Sequence, residues 1–396
     1  MSIRGRPAWA SFFAFGTAPK HVTAVTVRSV ANPRKPLITA NMVTATRLLA
    51  MPVMTYLIYQ DPFTSGSNSS WWAAIILGTI IACTDFVDGL LARMYGPTVF
   101  GGMLDPLADK IFVALLYLPM MDIGFFPTWA VGLIFIREFL VTSIRSAYEW
   151  RGLQLKTSYF GKVKTWVQMQ GIITFFIAAL IGRDDVIITL LFVTVLPVLG
   201  LAYLWFAKGK FHRSLAMSLP FMLATVALFA IPDTLQTSVE IGVYFICVVT
   251  WLSGLDYLLG AIPALHKAGG FHRADLIRVL AAISIPVCAT LALVYSSAPA
   301  APMLLIVAGE LAVGGLDNLL SRHKASSSTW SYGARTLGSS ALLVVAVLVD
   351  SQAAILAWVA MGISLVGVAH EFWRGRHHYL DDKKLDEQLT EDLVFG

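Results

Sequence analysis

Four carboxylates stand out, because their spacing places them together inside apolar sequence. Asp85 and Asp88 are three residues apart, and Asp105 and Asp109 are four apart. On helices each pair lines one face. An acid at mid-membrane costs roughly 2.5–3.5 kcal/mol on the insertion scale, so four together require a compensating charge. Hard oxygen ligands of this kind suit Mg²⁺, Mn²⁺ or Ca²⁺. Two such ions would clamp a diphosphate and stabilise charge as a phosphoryl bond breaks. Asp109 is also placed to act as general base for an incoming hydroxyl. Gly89 leaves room for a ligand beside the backbone, and Gly101 and Gly102 let the chain turn into the next helix.

The elements that must hold these acids are membrane helices. The chain of 396 residues is 57% hydrophobic and 13% charged, with mean hydropathy +0.71. Soluble domains carry about 25% charged residues. About twelve apolar runs between residues 37 and 374 approach the roughly 20 residues needed to cross the hydrocarbon core. The expected fold is an all-α polytopic membrane bundle of about 12 transmembrane helices. Residues 94–100 would join two of them as a hairpin and bring the four acids together. Basic residues such as Arg93, Arg151, Lys208, Lys267 and Arg322 fall at alternate loops. The opposite loops (60–70, 122–127, 232–237, 296–302, 350–353) hold no Lys or Arg, and Arg183 is the exception on that side. The positive-inside rule then puts both termini and the acidic hairpin in the cytoplasm. This asymmetry accounts for the net charge of +5 without invoking nucleic acid. Cys83, Cys247 and Cys288 lie in apolar runs without zinc-type spacing and read as buried packing residues.

Residues 1–36 carry six Lys or Arg and no acid, with Trp9, Phe12, Phe13 and Phe15 among them. They read as a basic interfacial segment on anionic lipid. An acid-poor mitochondrial transit peptide is the competing reading; a secretory signal is not, for want of a long apolar run. Residues 377–396 read as a solvated cytoplasmic tail.

A weak internal repeat runs through the chain at an offset near 230. Thr46-Arg47-Leu48-Leu49-Ala50 reads against Ile277-Arg278-Val279-Leu280-Ala281, and Asp88-Gly-Leu-Leu-Ala-Arg93 against Asp317-Asn-Leu-Leu-Ser-Arg322. Gly314 stands where Asp85 stands, and Asn318 replaces Gly89. One acid cannot hold two metal ions, so residues 272–376 are expected to be a degenerate, non-catalytic parallel copy. They would pack on the first copy as a built-in pseudo-dimer partner; a homodimer is the other possibility.

The run D-x2-D-G-x2-A-R-x7-G-x3-D-x3-D, from Asp85 to Asp109, resembles the signature of the CDP-alcohol phosphatidyltransferase family, with every defining position present. The resemblance implies a site with two divalent ions, Mg²⁺ or Mn²⁺, held by Asp85, Asp88, Asp105 and Asp109, with Asp109 also the base and CMP the leaving group. Gly89, Ala92 and Arg93 would line the CDP pocket, beside Asp85, Asp88 and Gly101. A transporter's ion relay, or a non-catalytic scaffold, is the competing class for buried carboxylates. The order and spacing of eight fixed positions argue against it.

Two further stretches, Ile136-Arg137-Glu138-Phe139 to Arg145 and Phe160-Gly161-Lys162-Val-Lys164-Thr165, are similar to the phosphatidylglycerophosphate synthase branch, as is Trp251-Leu-Ser-Gly-Leu-Asp-Tyr257. That likeness implies CDP-diacylglycerol as donor and glycerol-3-phosphate as acceptor, in a bacterial inner membrane or a mitochondrial one. Arg137 and Arg145 are two turns apart, about 80° around a helix. With Lys162, Lys164 and Arg47 they would surround the acceptor's phosphate, Arg offering paired donors. Snorkelling helix-end anchors are the plainer reading of the same cations. A cardiolipin synthase using phosphatidylglycerol, or a phosphatidylinositol phosphate-type synthase, are the alternatives within the family. The catalytic domain is expected over 37–267, with 183–237 an inserted helical pair.

Overall fold

The computed structural model describes residues 39–60, 69–95, 99–153, 159–208, 213–270, 272–322 and 329–379. The basic segment 1–36 and all but the first three residues of the tail 377–396 lie outside them. Twelve α-helices and no strand occur among the described residues. They are α1 (Ala40–Gln60), α2 (Ser69–Tyr95), α3 (Val99–Asp122), α4 (Thr128–Trp150), α5 (Tyr159–Ile181) and α6 (Arg183–Lys208), followed by α7 (Arg213–Ala230), α8 (Leu235–Lys267), α9 (Arg273–Tyr295), α10 (Ala300–Arg322), α11 (Thr329–Leu348) and α12 (Ala353–Gly375). Eight are long and apolar enough to cross a membrane. α3 and α4 fall outside that set, and they carry Asp105, Asp109, Lys110, Arg137, Glu138 and Arg145. The chain is an integral membrane protein.

α1 sets the geometry at the acids. Its buried residues Thr44, Arg47, Met51, Met54 and Ile58 recur at helical spacing. The stripe that packs the two methionines, both fully buried, therefore also delivers Thr44 and Arg47. α1 packs on α2 and α3, so its beginning meets the end of α2 and the beginning of α3. Farther from the acids, Trp71 of α2 closes the same bundle. It donates its indole N–H to the carbonyl of Ile58 at 3.1 Å and lies 6.2 Å from the Phe125 ring, edge to face.

α8 packs against both α4 and α5 and completes the first bundle. It is longer than the apolar run predicts, because the helix continues through Pro263 to Lys267. α6 and α7 pack on each other, and a single residue joins α5 to α6. Gly182 turns the chain there at φ 87°, a conformation that a side chain disfavours.

The last four helices do not stand apart. α9 packs on α4, and α10 packs on both α3 and α4. Their polar interior is their own: Arg335 Nε donates to Glu310 at 2.8 Å, and Ser364 donates to the same carboxylate at 3.0 Å. Asp275 caps the start of α9 and receives Arg151 from the end of α4 at 2.5 Å.

Candidate active site

The four acids come together as two bridged pairs. The Thr44 hydroxyl lies 3.1 Å from Asp88 Oδ2 and 3.2 Å from Asp105 Oδ1. The Arg47 guanidinium donates to Asp85 at 2.7 Å and to Asp109 at 3.3 Å. It also reaches the main-chain carbonyl of Asp105 at 3.4 Å. Arg47 is 4% exposed and Asp88 3%, whereas the carboxyl groups of Asp85 and Asp109 are about half exposed, at 51% and 57%. One hydroxyl and one guanidinium thus tie α1 to both acidic helices.

The sequence reading groups Arg47 with the phosphate-binding cations. The structure places it on the carboxylates instead, because the face of α1 that packs its methionines turns toward α2 and α3. Gly89 has open space where a Cβ would stand, as does Gly102, while Gly101 is buried at the start of α3. The backbones of Ala92, Arg93 and Lys162 are helical, and their side chains lie outside the described ones.

The donor set fits hard divalent cations: four carboxylates and a hydroxyl are all oxygen donors. Among the described residues one guanidinium contacts them, which leaves an excess of negative charge in an apolar bundle. Among the described residues no three acids surround one point as they stand. A metal would require Asp85 and Asp109 to exchange Arg47 for the ion.

Two cavities meet at Asp109. The first, of about 540 Å³, runs between α2, α3 and α5, and its walls include Arg47, Asp85 and Asp109 at one end and Ile75, Leu116 and Phe176 beyond. Cys83 also lines it and is exposed, unlike Cys247 and Cys288, which are buried as the sequence predicts. The second, of about 420 Å³, is lined by Asp109 and by four cations, Lys110, Arg137, Arg145 and Lys164. A third, of about 430 Å³ between α5, α7 and α8, has no charged residue in its lining.

Within the second cavity the cations are held rather than loose. Glu138 pairs with Arg137 at 3.0 Å and also with Lys164. Arg137 also donates to the Ser253 hydroxyl at 3.0 Å. Its side chain lies along α8 because residue 254 is glycine; a Cβ there would sit 3.0 Å from Arg137 Nε. Lys110 donates to Thr142 at 2.8 Å, and Tyr257 and Arg145 line the same space. Arg137, Arg145 and Lys164 are therefore together, as their spacing predicts, and Arg47 stands apart from them. Sequence reasoning assigned no role to Thr44, Lys110, Glu138 or Ser253. Lys110 directly follows an acid of the motif, and Thr44 precedes Arg47 by one helical turn, so both carried a signal.

Comparison with known proteins decides the family. A model of the CDP-alcohol phosphatidyltransferase family matches residues 37–198. A CDP-diacylglycerol–glycerol-3-phosphate 3-phosphatidyltransferase of Bacillus subtilis is 34% identical over 138 residues, which cover 33% of this chain and 71% of that protein. The chain belongs to the CDP-alcohol phosphatidyltransferase family. A protein of Mycobacterium tuberculosis named "Probable phosphatidylglycerophosphate synthase" is 39% identical over 131 residues, 33% of this chain. The match spans 61% of the mycobacterial protein's length. A CDP-diacylglycerol–glycerol-3-phosphate 3-phosphatidyltransferase of Cereibacter sphaeroides is 34% identical over 143 residues, 35% of this chain and 62% of that protein. No solved structure matches. The family model ends at residue 198, within α6, so α7 to α12 lie beyond it.

Proposed function

We propose that this chain transfers the phosphatidyl group of CDP-diacylglycerol to sn-glycerol-3-phosphate, releasing CMP and forming phosphatidylglycerophosphate. The observation that carries the reading is that Asp109 borders both an apolar cavity and a cationic one. The apolar cavity suits the acyl chains of a lipid donor whose diphosphate lies at Asp85 and Asp109. The cationic cavity suits a small, doubly charged phosphate. The names of the matched relatives point the same way.

In this reading the acceptor's phosphate is held by Arg145, Lys110 and the Glu138-positioned pair Arg137 and Lys164. That orients the acceptor's C1 hydroxyl toward Asp109. Asp109 takes the hydroxyl proton, and the oxygen attacks the β-phosphorus of the donor. The bond from that phosphorus to the bridging oxygen breaks, and the electron pair leaves with CMP. Arg47, displaced from Asp85 and Asp109, keeps its contact to the main-chain carbonyl of Asp105 and stays a positive charge near the diphosphate. Two divalent ions held by Asp85, Asp88, Asp105 and Asp109 would neutralise the diphosphate and the departing CMP. The likeness to bacterial proteins and the basic loops favour a bacterial inner membrane with this site at the cytoplasmic face.

The test is CMP release by purified protein with CDP-diacylglycerol and Mg²⁺ or Mn²⁺. Glycerol-3-phosphate, phosphatidylglycerol and inositol phosphate are offered separately, with Asp109→Asn as control. Release that depends on glycerol-3-phosphate and is abolished in the control is the expected result. Release with another acceptor alone would overturn the acceptor assignment, and no release with any would overturn the enzymatic reading.

A further inference from the structure

We propose that α10 serves the acceptor cavity, with its Gly314 positioning Lys110 through Thr142. The inference rests on the acceptor reading given above and extends it to residues far beyond the matched family region.

α10 crosses α3 and α4, and the contact is specific. Leu311 of α10 lines the cationic cavity directly. One turn later Gly314 meets α4 at Thr142: a Cβ at 314 would stand 2.9 Å from the Thr142 methyl. The Thr142 hydroxyl is fixed on both sides. It accepts from Lys110 Nζ at 2.8 Å and donates to the Glu138 carbonyl at 2.7 Å. With its hydroxyl so held, the branched side chain has no second rotamer that moves the methyl away while keeping Lys110. One turn farther on, Asn318 accepts from Ser146 of α4 at 2.7 Å and fixes the register of α10 on α4.

The positions involved carry the meaning. In the internal repeat, Gly314 stands where Asp85 stands and Asn318 where Gly89 stands. The residues that replaced two positions of the acidic motif are the ones that seat α10 on α4. The second copy has exchanged its chemistry for a wall, and that wall ends at a lysine of the working site. Gly314, Asn318 and Thr142 are positioning residues; Lys110 is the group that meets the acceptor.

The test uses the full chain, with CMP release measured against each substrate in turn. Gly314→Ala should raise KM for glycerol-3-phosphate roughly fivefold, with KM for CDP-diacylglycerol changed by less than about twofold. Thr142→Ser removes the obstructing methyl and keeps the hydroxyl, so adding it to Gly314→Ala should restore the acceptor KM. Asn318→Ala, which loses one hydrogen bond without adding bulk, should shift the same constant in the same direction by less. Gly362→Ala, where a Cβ meets nothing within 4 Å, is the control. An unchanged acceptor KM in both Gly314→Ala and Asn318→Ala would overturn the inference. Equal rises for donor and acceptor without rescue by Thr142→Ser would also overturn it, as a packing defect alone. If the unsubstituted chain does not use glycerol-3-phosphate, the acceptor reading falls first and this inference with it.

Discussion

Replacing Arg47 with methionine tests whether its guanidinium and a metal ion compete for the same carboxylates. Methionine keeps much of the buried stem and removes the charge. Two ion pairs are lost, at 2.7 Å to Asp85 and 3.3 Å to Asp109, together with a long 3.4 Å contact to the Asp105 carbonyl. A hydrogen bond to a charged group contributes about 1.5–3 kcal/mol. The second contact is long, and both carboxyl groups are about half exposed, so water screens them. The net loss in metal-free protein should then be about 2 kcal/mol, or roughly 4 °C in Tm. Ligand linkage predicts the counterpart: Mn²⁺ at about a hundred times its Kd adds about 2.7 kcal/mol. Because Arg47 no longer occupies Asp85 and Asp109, the Mn²⁺-dependent rise in Tm should be larger in Arg47→Met than in the unsubstituted chain. Thermal unfolding in detergent, with chelator and with Mn²⁺, measures both quantities. Equal Tm values in chelator would refute the stabilising role, and equal rises with Mn²⁺ would refute the competition.

Other substitutions separate the remaining parts. Glu138→Gln frees Arg137 and Lys164 from their shared carboxylate and should raise the acceptor's KM by roughly tenfold while sparing the donor's; a change confined to the donor would contradict the assignment of the cavity. Cys83, exposed in the apolar cavity, should react with a membrane-permeant maleimide and be protected by CDP-diacylglycerol, whereas the buried Cys247 and Cys288 should not react in folded protein; labelling of Cys83 unaffected by the lipid would remove that cavity as the donor site. Glu310→Gln leaves Arg335 charged and buried at the centre of the last four helices and should cost about 3–5 kcal/mol, with Arg335→Met in the same chain recovering part of it in a thermal melt; no loss in the single variant would show that the pair is not a stabilising contact.

The helices were legible because apolar runs, interrupted by charge and glycine, map directly onto spans. Each of the twelve runs became one helix, and the main departure, the extension of α8 to Lys267, reflects a proline and polar residues that the helix tolerates at its end. The four acids were legible from spacing alone. What their spacing did not carry was rotation between helices distant in sequence. Arg47 is 38 residues from Asp85 and 62 from Asp109, and only the packing of Met51 and Met54 decides that it faces them. Glu138 illustrates a second limit. It lies next to Arg137 in sequence and drew no assignment there; its second partner Lys164 arrives from another helix, and the hold on both cations exists only in three dimensions.

The seating of α10 against α3 and α4 has a consequence for how the protein behaves in dilute membranes. That face is covered by a segment of the same polypeptide, so it is not offered to a second molecule. A contact between separate chains is governed by mass action, whereas one between tethered segments is intramolecular and does not weaken on dilution. The support that α10 gives α3 and α4 should therefore not weaken as surface density falls.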